Sequence, residues 1–142
     1  VAAGYKSLDE AIAEQRFTLE LFPQLESIFF CPDFEGRYCW FVRRGMEALS
    51  AAHASDVPWF GELSGSFRKP QPGMLFAAHK NYVPGIPISE AWFIGDREED
   101  EAAAAAAGTN FLEASIWRNR FLPGLHGAHA VNRKQLEFLE GI

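Results

Sequence analysis

Ala91-Trp92-Phe93-Ile94-Gly95-Asp96-Arg97-Glu98-Glu99-Asp100 decides the fold of this 142-residue chain. The apolar run is short enough to be a buried strand. A glycine and two aspartates follow, and the run Ala102 to Ala107 then reads as a helix stopped by Gly108. Open α/β sheets place their ligands where strands end and such helices begin. Acidic residues in a first helical turn complement the helix dipole, which accounts for Glu98, Glu99 and Glu101 without any site. Asp96 is different, because a carboxylate directly after a buried strand is costly unless it is paired or metal-bound. Asp96 and Asp100, one helical turn apart, suit a hard cation such as Mg²⁺ and are the candidate metal ligands.

Working outward, Thr109 to Leu112 reads as a second strand, so strand, helix and strand follow one another. On the other side, Gln71-Pro72-Gly73-Met74 opens a helix to about Tyr82, with proline favoured at its start. Pro84 to Pro87 is a loop. Ser7-Leu8-Asp9-Glu10 reads as a capping box for a helix running to about Leu21 and ended by Pro23. Leu25 to Cys31 contains a short, aromatic-rich strand bounded by Pro32. From 32 to 67 the pattern weakens to an irregular insertion in which Arg43 to His53 has helical spacing at Met46, Leu49 and Ala52. The tail carries a turn or helix around Trp117 and a helix near Arg133 to Leu139. Alternating strands and helices imply an α/β fold with a parallel sheet flanked by helices, in one domain over 1–142.

Composition narrows the function. Hydrophobic residues make up 48% and charged residues 23%, as in ordinary globular domains. The net charge of −6 weighs against a broad duplex-DNA footprint. No apolar stretch reaches the length of a membrane span. Two cysteines, Cys31 and Cys39, make no disulfide framework, and a cytoplasmic location is the default expectation. Among the histidines, His53, His79, His126 and His129, none has the spacing of a metal site. Tyr38, Trp40, Phe41, Trp59, Phe60 and Phe67 read as a small core beneath the insertion rather than a stacking platform. Arg37, Arg43 and Arg44 read as a solvated face.

A second cluster, Phe67-Arg68-Lys69-Pro70-Gln71-Pro72-Gly73-Met74, places a lysine just before a helix start, where ammonium and helix N-terminus both face an anion. A cation, a lysine and carboxylates together form a phosphoryl-transfer site, in which metal and lysine neutralise phosphate oxygens. Arg68 and Lys69 are the candidate substrate-binding residues, and Lys69 the candidate catalytic one.

Lys69-Pro70-x-Pro72-Gly73-Met74 followed by Gly95-Asp96-x-x-x-Asp100, an alanine-rich helix and Gly108 resembles the haloacid dehalogenase-like (HAD-like) phosphatases. Within them it resembles the small-capped branch of polynucleotide 3′-phosphatases, histidinol phosphatases and heptose-bisphosphate phosphatases. The resemblance implies a Rossmann-like fold, a Mg²⁺ cofactor and a phosphorylated substrate, with a nucleic-acid 3′ end favoured over a sugar or histidinol phosphate. It makes Lys69 the residue that balances charge around phosphate and nucleophile and Asp96 a Mg²⁺ ligand. Asp100 would bind or orient the metal shell and hold Lys69. The family's Asp-x-Asp nucleophile motif and its following Thr/Ser motif are not found. Val1 to Ser7 resembles the segment after them, so the first strands, nucleophile and general acid are expected to be missing. The chain alone is therefore expected to be inactive, or nearly so. Cys31-Pro32-Asp33-Phe34-Glu35-Gly36 is a weaker substitute for the nucleophile motif. Some relatives carry a zinc loop here, but Asp33 stands where a histidine would be, so Cys31 and Cys39 are read as plain thiols. A non-catalytic binding module of the same fold is the alternative. A receiver-like domain is disfavoured, because its acidic cluster would come early in the chain.

Overall fold

The computed structural model describes residues 1–45, 51–53, 58–82, 84–122, 130 and 132–141. The βαβ unit read from the sequence is present. β4 (Trp92–Gly95) runs parallel to β5 (Asn110–Glu113), with Trp92 opposite Asn110 and Gly95 opposite Glu113. Between them lies α3 (Glu98–Ala107), whose buried residues are Asp100, Ala103, Ala104 and Ala107. That spacing is one helix face, and its methyl groups let the helix approach the strands closely. Gly108 closes α3 in the left-handed region at φ 72°. α4 (Ala114–Arg118) follows β5 directly, and α5 (Arg133–Glu140) starts from an Asn132 cap. Phe138 of α5 stacks on Trp92 at 4.2 Å, and Gln135 Nε2 donates to the Phe111 carbonyl. The fold class is thus α/β, with a small parallel sheet flanked by helices in a Rossmann-like arrangement.

The first helix, α1 (Leu8–Leu21), carries the expected box: Glu10 N donates to Ser7 Oγ and Ser7 N to the Glu10 carboxylate. β1 (Ser27–Phe30) also forms as expected, but its pairing was not foreseen. It joins an antiparallel sheet with β2 (Trp40–Arg43) and β3 (Ala51–His53) in the order β1-β2-β3. The helix expected over Arg43 to His53 is therefore corrected: Arg43 ends a strand and Ala51–His53 form another, with 46–50 outside the described residues. Trp40-Phe41-Val42 pairs with Phe30-Phe29-Ile28, burying aromatic and β-branched side chains on both faces. Arg44 adds a clamp, donating to the carbonyls of Leu25 at 3.0 Å and Phe22 at 2.9 Å, beyond the end of α1.

β1 sorts its side chains between two cores by strand alternation. Ile28 and Phe30 pack with Ile12, Leu19 and Val42 against α1. Phe29 and Cys31 pack on the other side against Cys39, Phe67 and Ala77, the last from α2 (Gly73–Tyr82). The insertion also holds a 3₁₀ helix, Pro58–Leu63. Among the described residues β1 pairs only with β2, and β4 only with β5. A cleft of about 330 Å³ separates the two sheets, lined by Ser27 and Phe29, by Trp92 and Phe93, and by Leu75, Ala78 and Tyr82 of α2. No helix among the described residues is long and apolar enough to cross a membrane.

Candidate functional site

Lys69 and Asp100 come together. The Lys69 ammonium donates to Asp100 Oδ1 across 31 residues of sequence. Asp100 is 3% exposed, on the buried face of α3, and its other oxygen accepts the backbone N–H groups of Asp96 and Arg97 at 3.2 Å each. The carboxylate therefore closes the first turn of α3 from inside. Burial pushes its pKa up, but the Lys69 hydrogen bond and charge and the two amides together outweigh this, leaving the group below the usual carboxylate range. Gly95 makes the arrangement possible, since a Cβ there would lie 2.4 Å from Asp100 Cβ.

Asp96 sits on the same turn but outside it. Its side chain is exposed just past the carboxyl end of β4 and, among the described residues, makes no hydrogen bond or ion pair. The donor set for a divalent cation is thus one accessible carboxylate, Asp96, and one engaged carboxylate, Asp100. No group of three or more His, Cys, Asp or Glu side chains with metal-binding placement occurs among the described residues. Such a set fits Mg²⁺ held by one or two carboxylates, with water and substrate oxygens completing the shell.

A cleft of about 400 Å³ opens beside Lys69, lined by Phe29, Phe30, Cys31, Phe67, Arg68, Met74, Arg97 and Glu99. It lies at the carboxyl ends of β1 and β4. Arg68 and Lys69, both expected from sequence, face it. Arg97 and Glu99 were not singled out, although Arg97 stands next to Asp96 and a cation there was the available signal. The Lys69 loop is fixed by close packing: Gly73 N donates to the Ser66 carbonyl at 2.9 Å, and a side chain at Gly73 would collide with Ser66.

Other sequence candidates lie elsewhere. Asp33 accepts the amides of Arg37 and Tyr38, each at 3.0 Å, so its carboxylate braces the 33–38 loop. Burial alone would raise its pKa; these amides prevail and lower it. Phe67 is core, Phe41 stacks on Phe29 and Trp40 packs towards α1, as the small-core reading requires. Arg43 lies over the Tyr82 ring at 5.7 Å and Arg37 pairs with Glu35. His79 binds the Ile86 carbonyl. Cys39 is buried and Cys31 half-buried. The side chains of His53, Trp59 and Phe60 and the whole of His126 and His129 lie outside the described residues.

Residues 66–112 match the family model described as HAD-hydrolase-like. The match covers a third of the chain and takes in Lys69, α2, β4, Asp96, Asp100, α3 and most of β5. It supports membership of the HAD-like hydrolase superfamily. No curated protein and no solved structure matches the chain.

Proposed function

We propose that residues 1–142 carry the charge-stabilising part of a Mg²⁺-dependent HAD-like phosphomonoester hydrolase. The observation that carries this is the turn after β4: a buried Asp100 holds Lys69 at a cleft, with Asp96 open to solvent beside it. Lys69 and Arg68 would bind phosphate oxygens in the cleft, fixing the ester and balancing charge as phosphorus becomes five-coordinate. Asp100 keeps the ammonium aimed. Asp96, joined by Asp100 or by water held on it, would hold Mg²⁺, which supplies further neutralisation of the phosphoryl oxygens.

The nucleophile would come from a segment outside 1–142: an aspartate would attack phosphorus, the ester P–O bond would break with a second aspartate protonating the leaving alcohol, and water would then hydrolyse the aspartyl-phosphate. The edges of β1 and β4 that have no strand partner among the described residues lie by the apolar cleft and would be a fitting seat for such a strand. Its end would then deliver a carboxylate towards Lys69. A polynucleotide 3′ end is the favoured substrate, ahead of a sugar or histidinol phosphate. One observation favours a second reading, a non-catalytic phosphate-binding module: no third carboxylate joins Asp96 and Asp100 among the described residues.

Calorimetric titration with inorganic phosphate and Mg²⁺ tests the site, and binding should be lost in Lys69→Met. Hydrolysis of p-nitrophenyl phosphate then separates the readings. The chain alone should be inactive, and a polypeptide extended upstream by an Asp-bearing strand should turn over. Binding without turnover in the extended protein would favour the second reading, and failure to bind phosphate at all would refute both.

A further inference from the structure

Phe34, an aromatic side chain in a well-braced loop, packs on Arg68, which lines the cleft beside Lys69. Phe34 is 58% exposed. The Arg68 guanidinium lies over its ring at 4.7 Å from the centroid, and Arg68 Nη1 donates to the Asp33 carbonyl. Arg68 is the neighbour of Lys69 and lines the same cleft.

The loop under Phe34 is tied down on every side. The Asp33 carboxylate accepts two amides from 37 and 38, and Cys31 Sγ donates to the Asp33 carbonyl. The Gly36 carbonyl accepts Gly65 N and Phe67 N at 3.0 Å each. Gly36 itself sits at φ 70° with its Cα against the chain, since a Cβ would lie 2.9 Å from Arg68 N. An exposed phenylalanine on a mobile loop would be unremarkable. One held rigidly on a guanidinium next to an anion cleft has lost its ordering entropy beforehand, as a recognition surface does.

We propose that Phe34 and Arg68 form a stacking platform for a planar aromatic group on the phosphomonoester, a nucleobase. The recognised unit is then a nucleoside monophosphate, its phosphate at Lys69 and its base on the Phe34–Arg68 pair. This rests on the phosphate-site reading above. Base–aromatic stacking and cation–π contact are both tolerant of base identity, so little preference among bases follows.

The test is titration of the 1–142 chain, with Mg²⁺, by inorganic phosphate, ribose 5-phosphate and adenosine 3′-monophosphate. The nucleotide should bind about tenfold more tightly than ribose 5-phosphate. Phe34→Ala should remove most of that advantage and leave phosphate affinity unchanged, while Phe34→Tyr should retain it. A 3′-phosphorylated oligonucleotide distinguishes a nucleic-acid end from a free nucleotide, and tight binding of either satisfies the proposal. Equal affinity for nucleotide and sugar phosphate, or a Phe34→Ala loss shared by inorganic phosphate, overturns the platform while the phosphate site stands. Absence of Lys69-dependent phosphate binding removes the phosphatase reading and this inference with it.

Discussion

Replacing Asp100 by Asn tests whether one buried carboxylate organises the whole turn. The wild-type group accepts from three donors: the Lys69 ammonium and the amides of Asp96 and Arg97. Asn keeps one oxygen for the amides but turns an NH₂ group towards the ammonium. Lys69 is 46% exposed along its side chain, so solvent screens the pair and its share is about 1 kcal/mol. Weakening two hydrogen bonds to a charged acceptor adds roughly 0.5–1 kcal/mol each, giving a loss of about 2–3 kcal/mol at pH 7. The folded pKa of Asp100 lies below its unfolded value, ordinarily about 3.9. Its stabilisation is therefore fully present above that unfolded value and is lost as pH falls through the folded one. Urea unfolding followed by tryptophan fluorescence, at steps from pH 7 down to acid, should show the gap between wild type and Asp100→Asn closing below about pH 4. Lys69→Met and the double variant complete a cycle whose coupling should be about 1 kcal/mol at neutral pH. A gap that stays constant with pH, or a zero coupling, would refute this account of the turn.

Three other outcomes follow from the same geometry. Gly95→Ala should lower Tm by about 5–10 °C in a thermal melt, because the new methyl meets Asp100 Cβ on a backbone that cannot yield; an unchanged Tm would show that the turn is pliant. Asp96→Asn should leave Tm unchanged, its side chain being exposed, yet abolish the Mg²⁺ dependence of phosphate binding in calorimetry; retained dependence would remove Asp96 from the metal site. The Cys39 thiol, pushed up to about 12 by burial and then by neighbouring Cys31, should resist iodoacetamide at pH 8 in the native protein and react on unfolding; rapid native labelling would contradict its burial.

What sequence revealed and what it hid divide along contact range. The Ser7 box, the Gly108 cap and the strand-turn-helix around Asp96 are set by residues within a turn or two of one another, so their pattern is written locally. Asp100, in the first turn of α3, and Lys69, four residues before α2, stand out in the sequence because charge beside a helix start has only a few uses. The antiparallel sheet was hidden, since β2 has no identity until Phe41 meets Phe29. The helical spacing read through Ala52 misled there, since Ala52 lies in a strand opposite Phe41. Phe34 was passed over because a lone aromatic in a loop looks like any other until its guanidinium neighbour is seen beneath it.

The six alanines of α3 look like one low-complexity tract, but the helix splits them into two populations. Ala103, Ala104 and Ala107 are buried, while Ala102, Ala105 and Ala106 are exposed. The first three set how closely α3 can lie on the strands, and through that spacing where Asp100 rests; a single added methylene there acts as a wedge beneath the site. The second three record nothing about the fold. Over evolutionary time they should drift to lysine, glutamate or glutamine while their neighbours stay fixed, and in the laboratory they offer attachment points for a reporter one helix face away from the chemistry.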